Sequence, residues 1–298
     1  MLFLSSKPQL YSLGYQLNCH PNALGELRDS SGLLGLAAQL RQRMFEDGYL
    51  YLSGFLNPQM IWQARLELAE SLATEGFLLP QYAIEHCVAK PGLTMSFRPD
   101  LVAKSPTLQK LLYTNTLLDF FEVFLGGEIL HYDYTWLRAV SPNLGTYPHC
   151  DIVYMGRGTP NLYTVWTPLG DISSEMGGLM ILENSHQIGT IKNSYGQRDV
   201  DSYCQNRKQI KWWDGALSKN PVSLQKRYGG RWLTTQFKAG DILIFSMFTV
   251  HGSLDNQSPY IRLSSDSRYQ LASEPVDQRW LGKYPSAHSQ ASKQGKVC

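Results

Sequence analysis

The sequence has no apolar run approaching the ~20 residues of a membrane-spanning helix, and its greasiest helical stretch is interrupted by Asp119 and Glu122. Its five cysteines are scattered, odd in number and without a C-x-x-C pair. That excludes a zinc finger or disulfide framework and leads us to expect a reducing, cytoplasmic setting. An excess of one charge is also missing: 27 Lys and Arg stand against 25 Asp and Glu, interspersed. The short clusters Arg207-Lys208 and Lys226-Arg227 read as solvated surface, so no nucleic-acid partner is expected. There is no internal repeat and no phosphate-cradling glycine loop, since the glycines at Gly156 and Gly158 lack the strand–helix context. The opening Met1-Leu2-Phe3-Leu4 has neither a basic flank nor a long apolar core, and is not expected to act as a signal peptide. What is present is 43% hydrophobic and 12% aromatic content over 298 residues. These values fit one soluble domain and exclude a disordered or fibrous chain.

Apolar Leu33, Leu36, Ala37, Leu40 and Met44 recur at helical spacing and predict a helix over 33–46, stopped by Asp47-Gly48. "YLYLSGF" follows as a strand. Asn57-Pro58 opens a second helix with Ile61, Ala64, Leu68 and Leu72 on one face. Ser105-Pro106 repeats that signal before a long helix through "TLQKLLYTNTLLDFFEVFL", ended by Gly126-Gly127. Residues 1–127 are thus expected to be mostly helical with one strand. From 128 to 285 the short β-branched or aromatic segments, with no helices between them, predict an antiparallel sandwich or barrel. The stretch 183–231 lacks periodicity and holds Tyr195, Trp212 and Trp213, which favour a lid over a linker. The polar residues 286–298 are expected to fray.

Seven histidines make a short list of ligands. A mononuclear iron site needs two neutral imidazoles and a carboxylate on one face, with other positions open. Residues i and i+2 of a strand point the same way, so His-x-Asp supplies two of these ligands. Two such tripeptides occur, His131-Tyr132-Asp133 and His149-Cys150-Asp151, and the residues alone leave both open. Downstream, an apolar strand runs to His251, and a second strand contains Arg262. If the two form a hairpin, their midpoint falls in Asp255-Asn256-Gln257-Ser258, and His251 and Arg262 stand opposite, about 5 Å apart at Cβ. Ser253 shares that face, and the guanidinium could clamp a carboxylate. The competing reading is a surface arginine pairing across a hairpin.

The order and spacing of Pro148-His149-Cys150-Asp151, "VWTPLGDISSEMGGLMILENSH", His251 and Arg262 resemble the iron(II)/2-oxoglutarate oxygenases of the phytanoyl-CoA dioxygenase family. "LRQRMFEDGYLYLSGFLNP" resembles that family's opening segment, and the likeness runs over about residues 36–280. The resemblance implies a mainly β fold with flanking helices, a double-stranded β-helix of the jelly-roll or cupin kind. It implies that His149, Asp151 and His251 hold Fe(II), and that Arg262 takes the distal carboxylate of 2-oxoglutarate. Ser253 would be the hydroxyl partner of Arg262, Trp166 would lie beside the cosubstrate, and O2 would be the oxidant. His186, in Asn184-Ser185-His186 where the family has Gly-Ser-His, reads as structural. Related halogenases replace the carboxylate at Asp151, so its presence implies hydroxylation or another oxygen-retaining oxidation of a small-molecule C–H bond. Val153, Tyr154 and Met155 flank the ligands as possible pocket walls. Departures at 82–98 and 183–231 leave the substrate open among acyl-CoA, amino acid, terpenoid and alkaloid, and the oligomeric state is open too. Two alternatives remain: a nucleic-acid demethylase, because Arg262 and Arg268 fit an Arg-x5-Arg pattern, and a non-catalytic cupin-like binding module.

Overall fold

In the strand Tyr49–Leu52 all four residues are buried. By the two-residue period Tyr49 and Tyr51 face one side and Leu50 and Leu52 the other, so the strand must lie between two layers. The computed structural model, which describes residues 9–204 and 213–296, has both layers. Tyr49–Leu52 edges a six-stranded antiparallel sheet, followed by Ile242–Ser246, Tyr163–Pro168 and Arg262–Leu271; the last also pairs with Ile129–His131 and Trp136–Val140. A smaller sheet faces it, in the order His251–Ser253, Leu179–Leu182, Trp232–Thr234 and Leu24–Glu26, the last pair parallel.

Between the sheets, Tyr49, Tyr51, Trp166, Leu243 and Phe245 meet Leu179, Ile181 and Leu233. On the outer face, Leu50, Leu52, Val165, Ile242, Ile244 and Leu263 pack with the apolar faces of the helices. These helices are Ala37–Asp47, Pro58–Thr74, Pro106–Tyr113 and Thr116–Leu125. Each fully buried Leu there contributes roughly 1.5–3 kcal/mol. The fold is mainly β with flanking helices, two facing, largely antiparallel sheets of the double-stranded β-helix kind that do not close into a ring. Among the described residues, no helix is long and apolar enough to cross a membrane.

The start signals work as read: Asn57 accepts from the N–H groups of Gln59 and Met60, and Ser105 accepts from that of Leu108. Other expectations need correction. The long helix after Ser105 is two, broken where Asn115 takes φ 42°. Residues 9–36 hold no α-helix, only a 3-10 turn at Ser31–Leu33, and Leu24–Glu26 adds an edge strand beside Trp232–Thr234. Residues 183–231 hold short helices, among them Gly189–Asn193 and Pro221–Tyr228. Residues 286–296 of the tail are docked rather than frayed: Gln294–Lys296 pairs with Ser202–Cys204, and Ser292 is buried, while 297–298 lie outside the described residues.

The hairpin is the largest correction. His251 pairs with Ile181 in the small sheet, whereas Arg262 pairs with Val140 in the large one. The chain between them crosses from sheet to sheet, and Asn256 explains why. Its amide donates to the carbonyls of Val140 and Tyr260, at 3.0 and 2.6 Å, while its oxygen accepts from Ser258. Those bonds tie the turn to the large sheet instead of closing a hairpin.

Candidate metal centre

His149 and His251 come together through backbone pairing. Each N–H donates to the other's carbonyl at 2.9 Å, which sets the rings side by side with centroids 4.2 Å apart. The chain then leaves the strand. Asp151 has helical angles (φ −66°, ψ −23°) and starts the short helix Ile152–Met155, so a bend rather than strand periodicity delivers the carboxylate. Asp151 Oδ1 lies 3.6 Å from Nε2 of each histidine. Ligand atoms of the three residues all fall within 4.8 Å of one another, and all three side chains are buried.

The remaining ligand atoms are occupied. His149 Nδ1 meets the Tyr147 carbonyl at 2.8 Å and His251 Nδ1 meets that of Thr249 at 3.0 Å. A carbonyl only accepts, so Nδ1 carries the proton in both rings and each Nε2 keeps a free lone pair. Asp151 Oδ2 accepts from Thr164 Oγ1 at 2.5 Å and from Arg268 at 2.9 Å, leaving Oδ1 open. Burial would raise the carboxyl's pKa, but the Arg268 guanidinium and the two imidazoles hold it well below the ordinary range. Burial, with His149 alongside, pushes His251 down to about 3, against the pull of Asp151. The trio thus offers one carboxylate and two imidazoles, a donor set suited to iron(II) or a similar divalent metal.

His131, which ends the edge strand Ile129–His131, and Asp133 just beyond it are not part of this trio; the His131 ring stacks on Tyr113 at 4.4 Å. His186 is also elsewhere: its Nε2–H donates to the Phe45 carbonyl at 3.0 Å. Gly48 sits so close to that ring that a Cβ would come within 2.4 Å of it.

Alternation along Arg262–Leu271 sends Arg262, Ser264, Asp266 and Arg268 to the inner face. Arg262 is fully buried; it donates to the Gly177 carbonyl, and its Nε has no partner among the described residues. Burial, with Arg138 nearby, lowers its pKa to about 9. A buried cation with spare donors and no carboxylate suits an anionic ligand group. Ser253 is buried on the face of His251 and accepts from the Thr146 N–H at 2.8 Å. Trp166 is buried against Phe237, centroids 4.6 Å apart, and its Nε1 has no partner among the described residues.

The ligand pair His149–Asp151 opens onto a cavity of about 280 Å³. Its walls include Phe97, Tyr134, Trp136, Tyr147, Tyr154 and Met155, with Arg138 and Arg268 as the cationic members. Of the flanking residues read from the sequence, Tyr154 and Met155 line it. Thr164 and Arg138 carried no signal of their own in the sequence. The one available clue was the inward alternation of Arg262, Ser264, Asp266 and Arg268. Trp212 lies outside the described residues. Trp213 packs edge-on against Tyr195, 5.4 Å away, and is not a wall of the cavity. The adjoining carbonyl of Asp214, however, accepts from the hydroxyls of both Tyr147 and Tyr154 at 2.7 Å.

Comparison with known proteins agrees with this geometry. The chain is 26% identical over 290 residues to a 1-deoxypentalenic acid 11-beta-hydroxylase of Streptomyces exfoliatus, covering 91% of this chain and 94% of the relative. Its fold matches the non-heme alpha ketoglutarate dependent carbocyclase SnoK from nogalamycin biosynthesis. The TM-score is 0.60 at 17% identity, over 84% of this chain and 90% of the other. EctD from S. alaskensis with bound Fe matches at TM-score 0.57 and 17% identity, over 97% and 95%. The family model described as phytanoyl-CoA dioxygenase (PhyH) matches residues 44–264, a span that takes in both histidines, Asp151 and Arg262. The chain belongs to the phytanoyl-CoA dioxygenase family of iron(II)/2-oxoglutarate-dependent oxygenases.

Proposed function

We propose that this oxygenase hydroxylates a C–H bond of a small, largely apolar metabolite, releasing succinate and CO2. His149, Asp151 and His251 hold the iron. Arg262, with Ser253 beside it and Trp166 nearby, takes the distal carboxylate of 2-oxoglutarate. The observation that carries this reading is the division of labour in the trio: one atom of each residue is free toward a common point while its other polar atom is tied down. The unpartnered donor of buried Arg262 supports the cosubstrate assignment, and the hydroxylase relative supports the outcome.

Bound iron(II), with 2-oxoglutarate and dioxygen, supplies the oxidising power to break an unactivated C–H bond. The chain supplies placement. Thr164 and Arg268 fix Asp151, Tyr147 and Thr249 fix the imidazoles, and the aromatic wall excludes water from the place where the substrate's C–H bond sits. Tyr147 and Tyr154, anchored to Asp214, link that wall to the 183–231 insertion and give it the role of a cover over the site.

The test is succinate release from the iron-loaded protein against a metabolite library. Succinate formed only with iron and 2-oxoglutarate, and raised by a substrate, supports the proposal. No 2-oxoglutarate-dependent turnover, together with no metal-dependent stabilisation, would instead favour a binding module.

A further inference from the structure

The side chains around the cavity and its metal ligands have an unbalanced charge. Arg138, Arg262 and Arg268 are guanidinium groups, and the carboxylates that pair with them among the described residues are Asp151 and Asp266. Iron(II) and the 2-oxoglutarate dianion cancel each other, so the loaded site keeps one positive charge too many. An uncompensated charge in a largely buried site is costly, and a ligand that brings the missing negative charge relieves it.

Arg138 is the group that an incoming anion would meet. It stands on the inner face of Trp136–Val140, opposite Ser264. Its Nε donates to Asp266 at 3.0 Å, while neither Nη engages a partner among the described residues. Its side chain is 21% accessible, against 2% for Arg268. Arg268 is spent on Asp151, and its guanidinium lies over the Trp136 ring at 3.9 Å. Arg262 is not on the cavity wall; it stands six residues from Arg268 on the same strand, about 20 Å at the usual rise. Apart from Thr146, Ala287, His288 and the ligands His149 and Asp151, the other walls are aromatic or thioether.

Resting on the oxygenase reading above, we propose that Arg138 anchors a carboxylate on the substrate. The substrate is then a free acid on a compact apolar skeleton, not a neutral molecule or a thioester. A guanidinium fork matches a carboxylate in plane, so the contact fixes orientation as well as charge and thereby selects which C–H bond faces the metal.

The test uses acid–ester pairs: 1-deoxypentalenic acid, abietic acid and 1-adamantanecarboxylic acid, each beside its methyl ester. Binding is followed by ligand-observed NMR and thermal shift on protein loaded with Mn(II) and N-oxalylglycine. At least one acid should bind about tenfold or more tighter than its ester, the loss expected for a charged hydrogen bond of ~1.5–3 kcal/mol. Arg138→Gln should erase that preference, Arg138→Lys should restore part of it, and the affinity for 2-oxoglutarate should hold in both. Equal affinity of acid and ester in every pair, or no binding by any acid, overturns the proposal. So does an Arg138→Gln protein that loses 2-oxoglutarate and keeps its preference for acids. The pairs need no variant, so a misfolded Arg138→Gln does not blunt the test. Absence of any Mn(II)- or N-oxalylglycine-dependent stabilisation would instead break the underlying oxygenase reading.

Discussion

Thr164 and Arg268 hold the Asp151 oxygen that faces away from the two histidines, and they hold it unequally. Arg268 brings charge; Thr164 brings only a hydroxyl 2.5 Å away. Thr164→Val keeps the shape of the side chain and removes the bond, so it isolates orientation from packing. Metal affinity should fall about ten- to a hundredfold, the usual cost of losing a group that orients a ligand. A competitive titration against a fluorescent chelator measures it, and unchanged affinity would show that Thr164 does not orient Asp151. At the cosubstrate end, Arg262→Lys loses the planar fork. The Michaelis constant for 2-oxoglutarate should then rise by about ten- to a hundredfold, with metal affinity intact; an unmoved constant would sink the assignment. At this scale the grouping of His149, Asp151 and His251 was legible, because His-x-Asp and the distal histidine lie in the order of the family's pattern. Thr164 was not. A threonine in a strand is ordinary until pairing sets it opposite Arg268.

Helix starts could be read because caps are local: Asn57 and Ser105 bond to backbone within three residues. The hairpin and the tail misled because their partners are remote in sequence. Asn256 looks like a turn residue, yet it bonds to Val140 more than a hundred positions away. The tail looks polar and solvated, yet buried Asp201 accepts from Arg279 at 2.5 Å, from His288 at 2.8 Å and from Lys293. Burial opposes ionisation of Asp201, but its bonds to His288 and Lys293 outweigh that and lower its pKa. A carboxylate lowered on folding stabilises above its unfolded value of about 3.9, and that contribution fades as the pH falls through the folded value. The tail should therefore stay docked at neutral and mildly acid pH and loosen only in strong acid. Asp201→Asn should release residues 286–296 at pH 7. Hydrogen exchange across that segment reports both effects, and a protected tail in the variant would show that docking rests on apolar contacts alone.

Across the whole molecule, sheet pairing concentrates charge that the sequence distributes evenly. The near balance of 27 basic and 25 acidic residues conceals an interior in which Arg138, Arg262 and Arg268 are buried or half-buried around Asp151 and Asp266. No composition argument could find this, since it depends on which faces of two strands turn inward. It has a thermodynamic consequence. A divalent metal adds charge to a site that is already positive, and 2-oxoglutarate brings two negative charges to it. Each should therefore bind better when the other is present, and the coupling must be reciprocal. A ligand at a hundred times its dissociation constant stabilises by about 2.7 kcal/mol, roughly 5 °C of melting temperature in a chain of this size. Mn(II) alone and 2-oxoglutarate alone should each give less than this at moderate concentration. Together they should exceed the sum of the separate shifts. Arg262→Gln lowers the positive charge and, on the proposed cosubstrate role of Arg262, removes the carboxylate's anchor, so it should strengthen Mn(II) binding alone while shrinking the joint excess. Differential scanning calorimetry on the four combinations measures the coupling, and strictly additive shifts would show that the charge imbalance does not link the two ligands.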